Sequence, residues 1–125
     1  MTRREQLNKF NHDICILFAY AERHGIPIRA GEWYRSPQRA EANASMGIGI
    51  KNSKHIKSLA LDVWIDPDGK HPVFHGDTRF KDAEKLYFQL GVFWESMGNK
   101  WGGRFKMPNG NYDVYHFEIA EDPAK

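Results

Sequence analysis

An α+β domain, with a small antiparallel sheet flanked by about three helices, is the fold class that this sequence predicts. Three observations carry it. Apolar residues recur at helical spacing in two segments, Leu7 to Ala21 and Ala83 to Trp94. Two short, dense apolar runs, Leu59 to Ile65 and Val114 to Ala120, have the length and character of strands. Gly, Pro, Asn and Asp punctuate the segments between them. At 125 residues the chain forms one domain spanning 1–125, large enough for a single core and too short for two.

Taken in order, Thr2 and Glu5 have the spacing of a capping box. Leu7, Phe10, Ile14, Leu17, Phe18 and Ala21 then mark one face of a first helix that ends near His24, where Gly25 and Pro27 stop it. "IPIRAGEWYRS" reads as a short strand entering a turn. Ser36 and Pro37 open a second helix through "QRAEANASMG". "IGIKNSKHIKS" is polar and Gly-bearing, hence loop. Leu59 to Ile65 reads as the central strand, buried on both faces. "DPDGKHPVFHGDTRF" is a turn-rich excursion, and its "DPDG" is a plain turn, since no downstream Glu completes a calcium loop. A third helix spans about Asp82 to Met97, with Ala83, Leu86, Tyr87, Leu90, Phe93 and Trp94 inward and Gly98 after its end. "KWGGRF" and "KMPNGNYD" carry turns, and Val114 to Ala120 closes the sheet.

Charge and composition exclude several classes. The 18 basic and 16 acidic residues are interspersed, so no field favours nucleic acid. No apolar run approaches the roughly 20 residues that a membrane span needs. Cys15 is the only cysteine, which excludes a disulfide framework and a thiolate metal site. "MTRREQLNKFNHDIC" lacks the apolar centre of a signal peptide, so synthesis in the cytoplasm without a leader is expected, as a monomer.

The chemistry lies in two stretches. In "SKHIKSLALDVWID", alternation puts Ala60, Asp62 and Trp64 on one strand face, with a carboxylate where burial demands a partner. His55 precedes Asp62 by seven residues and belongs to the preceding loop. In "DVYHFEIA", His116 shares a strand face with Val114 and Glu118, and Asp113 sits in the turn before them. His55, Asp62 and His116 make a three-ligand set for one zinc ion with a fourth position open to water. Asp113 is placed to accept that water's proton and pass it to a leaving amine. The same histidines also suit hydrogen-bonded core positions, and the residues alone leave both readings open. The remaining histidines, His12, His24, His71 and His75, read as solvated or as helix-end residues.

"SKHIKSLALD" resembles the S-x-H-x-x-x-x-A-x-D segment, and "DVYHFE" the D/E-x-x-H segment, of the zinc D-alanyl-D-alanine carboxypeptidase and L-alanyl-D-glutamate endopeptidase family, whose fold is shared with the hedgehog signalling domain. "EWYRSPQRAE" and "WGGRF" are similar to the same family's small phage endolysins. The likeness spans about 28–119 in matching order. It implies His55, Asp62 and His116 as zinc ligands, Asp113 as the acid/base, Arg35 beside the scissile carbonyl as an oxyanion contact, and Ser53 as a polar residue next to the first ligand. Many relatives have Gly where this chain has Ser58, a departure that touches the local backbone and not the ligands.

Glu118 is a rival fourth ligand, but a fourth protein ligand would close the site, so a hydrogen bond behind His116 fits better. Trp101 and Arg104 are read as a wall and an anion contact for substrate. The expected function is a zinc-dependent cut in a peptidoglycan stem peptide at the L-alanyl-D-glutamate bond, as a phage-type endolysin acting on the wall after release. A D-alanyl-D-alanine dipeptidase or carboxypeptidase is the alternative within the family. A non-catalytic zinc-binding module is the alternative outside it, and Asp113 argues against it. A metal-dependent nuclease lacks the paired carboxylates of a two-metal site.

Overall fold

The computed structural model describes residues 1–33, 36–46, 54 and 59–120. Among the described residues there are three α-helices and a four-stranded antiparallel sheet, in agreement with the α+β expectation. Helix α1 runs Arg3–Arg23 from a reciprocal cap: Thr2 Oγ1 accepts from the Glu5 amide at 3.1 Å, and the Glu5 carboxylate accepts from the Thr2 amide at 2.8 Å. It ends in a Schellman arrangement. Gly25 takes a φ of 67°, and the amides of Gly25 and Ile26 donate to Glu22 and Ala21 carbonyls at 3.2 and 2.9 Å. Strand β1 is Ile28–Ala30, and α2 is Pro37–Ser45, opened by Ser36 Oγ accepting from the Arg39 amide at 3.1 Å.

Strand β2 is Ala60–Ile65, α3 is Phe80–Ser96, β3 is Lys100–Trp101 with a 3₁₀ turn over Gly102–Arg104, and β4 is His116–Glu118. Helix α3 begins two residues before the expected Asp82. Asp77 organises the entry, its Oδ1 accepting from the Arg79 amide at 2.8 Å and its carbonyl from the Phe80 amide at 3.0 Å.

The sheet order is β1-β2-β4-β3, so β2 and β4 lie at its centre. The register pairs Asp62 with His116, Ala60 with Glu118, Leu61 with Phe117, and Trp64 with Arg29. One face, with Leu61, Val63, Ile65 and Phe117, packs under Phe10, Ile14 and Leu17 of α1 and Tyr87, Leu90 and Trp94 of α3. The other face carries Ala60, Asp62, Trp64, His116 and Glu118. Helix α3 is stitched to the sheet by Trp94, whose Nε1–H is shared between the carbonyls of Lys100 at 3.0 Å and Glu118 at 2.9 Å. Tyr87 adds a second tie: its hydroxyl accepts from the Ile65 amide at 2.9 Å and donates to the Val73 carbonyl at 2.8 Å.

Two expectations need correction. Strand β2 is not buried on both faces, because Asp62 and Trp64 are half-buried where the face opens. The closing strand is three residues long, and Val114 is not on it. The Val114 amide donates to Tyr112 and the His116 amide to Asp113, at 3.0 and 3.2 Å, which bends 112–116 into a tight turn. The loop before β2 falls largely outside the described residues. Among those described, no helix is long and apolar enough to cross a membrane.

Candidate functional site

The antiparallel register of β2 and β4 sets Asp62 directly across from His116, on the face opposite the one that packs on α1 and α3. His116 Nδ1 lies 3.9 Å from Asp62 Oδ1. The opposite ring nitrogen, Nε2, lies 2.7 Å from Glu118 Oε1, and both residues are buried, at 6% and 8% exposure. Residues two apart on a strand share a face, so the sequence period itself brings Glu118 behind His116. Where Glu118 accepts the Nε2–H, Nδ1 is the ring nitrogen turned toward Asp62. Burial is the largest influence on His116 and opposes its charged form. The Glu118 hydrogen bond and the charges of Asp113, Glu118 and Asp62 outweigh it, so the imidazole pKa is raised.

Asp113 starts the turn that delivers His116, and its negative charge acts on both His116 and Tyr115. Its amide donates to the Phe105 carbonyl and its carbonyl accepts from the His116 amide, each at 3.2 Å. Gly102 makes this turn possible. A Cβ there would lie 2.4 Å from the Asp113 carbonyl oxygen and 2.7 Å from His116 Cβ. Trp101 supports the same turn from below, its Nε1–H donating to the Val114 carbonyl at 2.8 Å. Its ring is packed so closely that a Cβ at Gly91 or Gly103 would approach it to 2.1 or 2.3 Å.

These contacts give Trp101 and Arg104 structural partners. Trp101 is 3% exposed. Arg104 forms a two-point ion pair with Glu95 of α3 at 2.8 and 3.0 Å, and its guanidinium stacks over Phe88 and Trp101. His75, read from sequence as a solvated loop residue, is half-buried. Its amide donates to the Tyr115 hydroxyl at 2.8 Å, and its Nδ1 lies 2.7 Å from the same oxygen. Burial, the largest influence, lowers the His75 pKa and raises that of Tyr115 to about 12. The signals the sequence hid are the glycines: nothing in "WGGRF" says which backbone atoms Gly102 must approach.

His55, Arg35, Ser53 and Ser58 lie outside the described residues. Among the described residues no three His, Cys, Asp or Glu side chains form a metal-holding group, and the site contributes two donors, Asp62 and His116. Those two fit a zinc ion. Ligands on a tetrahedral zinc with bonds of about 2.0–2.1 Å lie roughly 3.4 Å apart, a small closing movement from 3.9 Å. Imidazole nitrogen and carboxylate oxygen are donors that zinc accepts, and a carboxylate on the far ring nitrogen is the usual support of such a histidine.

No family model matches the sequence, and no curated protein is significantly similar to it. Solved structures are. The L-Ala D-Glu endopeptidase ChiX of Serratia marcescens superposes with a TM-score of 0.61 at 22% identity, covering 94% of this chain and 85% of that one. A variant of the vancomycin-resistance D,D-pentapeptidase VanY, in complex with Zn(II), gives 0.61 at 12% identity over 90% of this chain and 71% of that one. The chain has the fold of these peptidases. The LD-carboxypeptidase LdcB, solved in relation to peptidoglycan recognition, extends the likeness, with a TM-score of 0.58 at 16% identity over 93% of this chain and 59% of that one. In that fold β2 and β4 are the two inner strands of the sheet, and Asp62 and His116 lie on the face opposite the one that packs on α1 and α3.

Proposed function

We propose that the protein is a zinc peptidase that hydrolyses an amide bond in peptidoglycan stem peptides, with the L-alanyl-D-glutamate bond as its target. One observation carries this reading: Asp62 and His116 are cross-strand partners with Glu118 behind the imidazole, on the fold of the ChiX, VanY and LdcB peptidases. Asp62 and His116 hold the metal, and His55 supplies the third ligand through its place in the S-x-H-x-x-x-x-A-x-D pattern. A bound zinc ion supplies a Lewis acid that polarises the scissile carbonyl and brings the pKa of water to about 7.

The chain's own residues do the rest. The Asp113 carboxylate takes the proton of the attacking water and returns it to the leaving amine nitrogen. Arg35 stabilises the oxyanion as charge builds there, and Ser53 orients the peptide beside the first ligand. Glu118 holds the Nε2 proton of His116 and so keeps Nδ1 basic. Trp101 serves by holding the 112–116 turn. Its burial, and the pairing of Arg104 with Glu95, put neither among the substrate contacts of this reading.

The test is mass spectrometry of muropeptides released from purified sacculi, with and without chelator. New amino termini on D-glutamate that disappear with chelator are the expected result. An unchanged muropeptide profile refutes the reading. Release of single D-amino acids instead would favour a carboxypeptidase, which the likeness to LdcB also accommodates.

A further inference from the structure

Segment 66–79 joins β2 to α3 without helix or strand, and within it His75 meets the turn that delivers His116. Two contacts converge on one atom. The Tyr115 hydroxyl oxygen accepts from the His75 amide at 2.8 Å, and His75 Nδ1 lies 2.7 Å from the same oxygen. A neutral imidazole protonated at Nε2 takes the hydroxyl hydrogen on Nδ1, so that one residue gives and receives at a single oxygen. Burial, the largest influence on each, lowers the His75 pKa and raises that of Tyr115, which keeps the pair uncharged at neutral pH. The phenol ring is held independently of this bond. Phe74, His75 and Tyr87 pack edge-on against it, with ring centroids 5.5, 5.3 and 5.1 Å away.

The backbone of Tyr115 is tied as well, its carbonyl accepting from the amide of Val63, the neighbour of Asp62 on β2, at 2.8 Å. Trp101 and His75 thus fasten the 112–116 turn at successive residues, one through the Val114 carbonyl at 2.8 Å and the other through the Tyr115 hydroxyl. The two groups of the site depend on these ties unequally. His116 takes its place from the sheet, by pairing with Asp62, whereas Asp113 lies off the strand and takes its place from the turn.

We infer that Tyr115 is a positioning residue for the proposed reaction: its hydroxyl, locked to the amide and ring of His75, sets where the turn puts the Asp113 carboxylate. The inference rests on the peptidase reading above, since that reading gives Asp113 the proton to move. Tyr115 needs no contact with substrate for this role. A general base held slightly out of place slows the chemical step while the binding of substrate and metal, made by other groups, is kept.

The experiment compares the full chain with Tyr115→Phe, His75→Leu and His75→Asn. Tyr115→Phe keeps the packed ring and removes the hydroxyl. His75→Leu leaves the backbone amide as the one remaining donor, and His75→Asn restores an acceptor near the Nδ1 position. With zinc bound, kcat on a stem peptide should fall about tenfold or more in Tyr115→Phe and His75→Leu, and His75→Asn should recover most of the loss. KM and zinc affinity should stay within about twofold of the parent. The double variant should fall no further than either single one, because both remove the same bond. On the same proteins, deuterium exchange at the His116 amide, which donates to the Asp113 carbonyl, should quicken in Tyr115→Phe while the buried amides of α3 hold.

An unchanged kcat in Tyr115→Phe, zinc lost in step with activity, or equal quickening along α3 would each overturn the inference. Should His75→Leu fail to fold, Tyr115→Phe and His75→Asn decide the matter between them. A parent chain that cuts no stem peptide refutes the peptidase reading, and the exchange measurement then settles by itself whether the His75–Tyr115 bond holds the turn.

Discussion

Glu118 Oε1 sits 2.7 Å from Nε2 of His116, and the two residues are one strand period apart on the same buried face. The pair sets which ring nitrogen is left to face Asp62. Glu118→Gln, which keeps the shape but removes the charge, should weaken zinc binding about 10–100-fold in a chelator competition. Unchanged affinity would remove Glu118 from the site.

Asp113 is proposed to move protons and not to hold metal. Asp113→Ala should therefore retain bound zinc by elemental analysis while hydrolysis of a stem peptide falls by about 10²–10⁴. Asp113→Glu, which restores a carboxylate, should recover part of that loss. Zinc lost in parallel with activity would make Asp113 a ligand.

Gly102 is held against the Asp113 carbonyl and His116 Cβ, at 2.4 and 2.7 Å from where a Cβ would stand. Gly102→Ala must push the 113–116 backbone aside, because neither neighbour is the end of a flexible side chain. A stability loss of about 1–3 kcal/mol is expected by urea unfolding, together with lower activity in the fraction that remains folded.

The Tyr87 hydroxyl bridges the Ile65 amide and the Val73 carbonyl inside the core. Tyr87→Phe leaves both backbone groups buried without that partner. The expected cost is about 1–3 kcal/mol, read as a lower denaturation midpoint at unchanged m-value.

Asp13 is buried on α1 and bonded by Lys9 at 2.6 Å and Asn99 at 3.0 Å, which ties the helix to the turn after α3. Burial is the largest influence and pushes its pKa up. The hydrogen bonds from Lys9, Asn99 and His12 and the Lys9 charge outweigh it, so the pKa lies below the ordinary value. The unfolded chain therefore binds more protons in the window beneath about pH 4, and stability falls there as the pH drops through the folded-state pKa. Urea midpoints from pH 6 down to 3 should decline less steeply in Asp13→Asn than in the parent.

Local signals were the readable ones. The Thr2–Glu5 box, the Gly25 stop and the Ser36-Pro37 entry depend on neighbours in the chain, and the structure has each of them in place. Alternation likewise puts Asp62 with Trp64, and His116 with Glu118, on one face. What could not be read depends on distant partners. The Asp62–His116 register is chosen by the sheet, Val114 leaves the strand because the Trp101 indole and Gly102 fix a turn there, and Gly91 is buried because a Trp ring lies over it. That Asp62 and Trp64 are half-buried on the side opposite α1 and α3 depends on how those helices pack, which composition alone does not decide.

The Trp94 indole, bonded at once to the carbonyls of Lys100 and Glu118, joins α3 to the strand that bears His116. Backbone amides of β4 and of the middle of α3 should then exchange with deuterium together, and last. The proposed site would then sit on the part of the molecule that opens only when everything else has come apart, so its geometry would outlast every partial loosening of the fold.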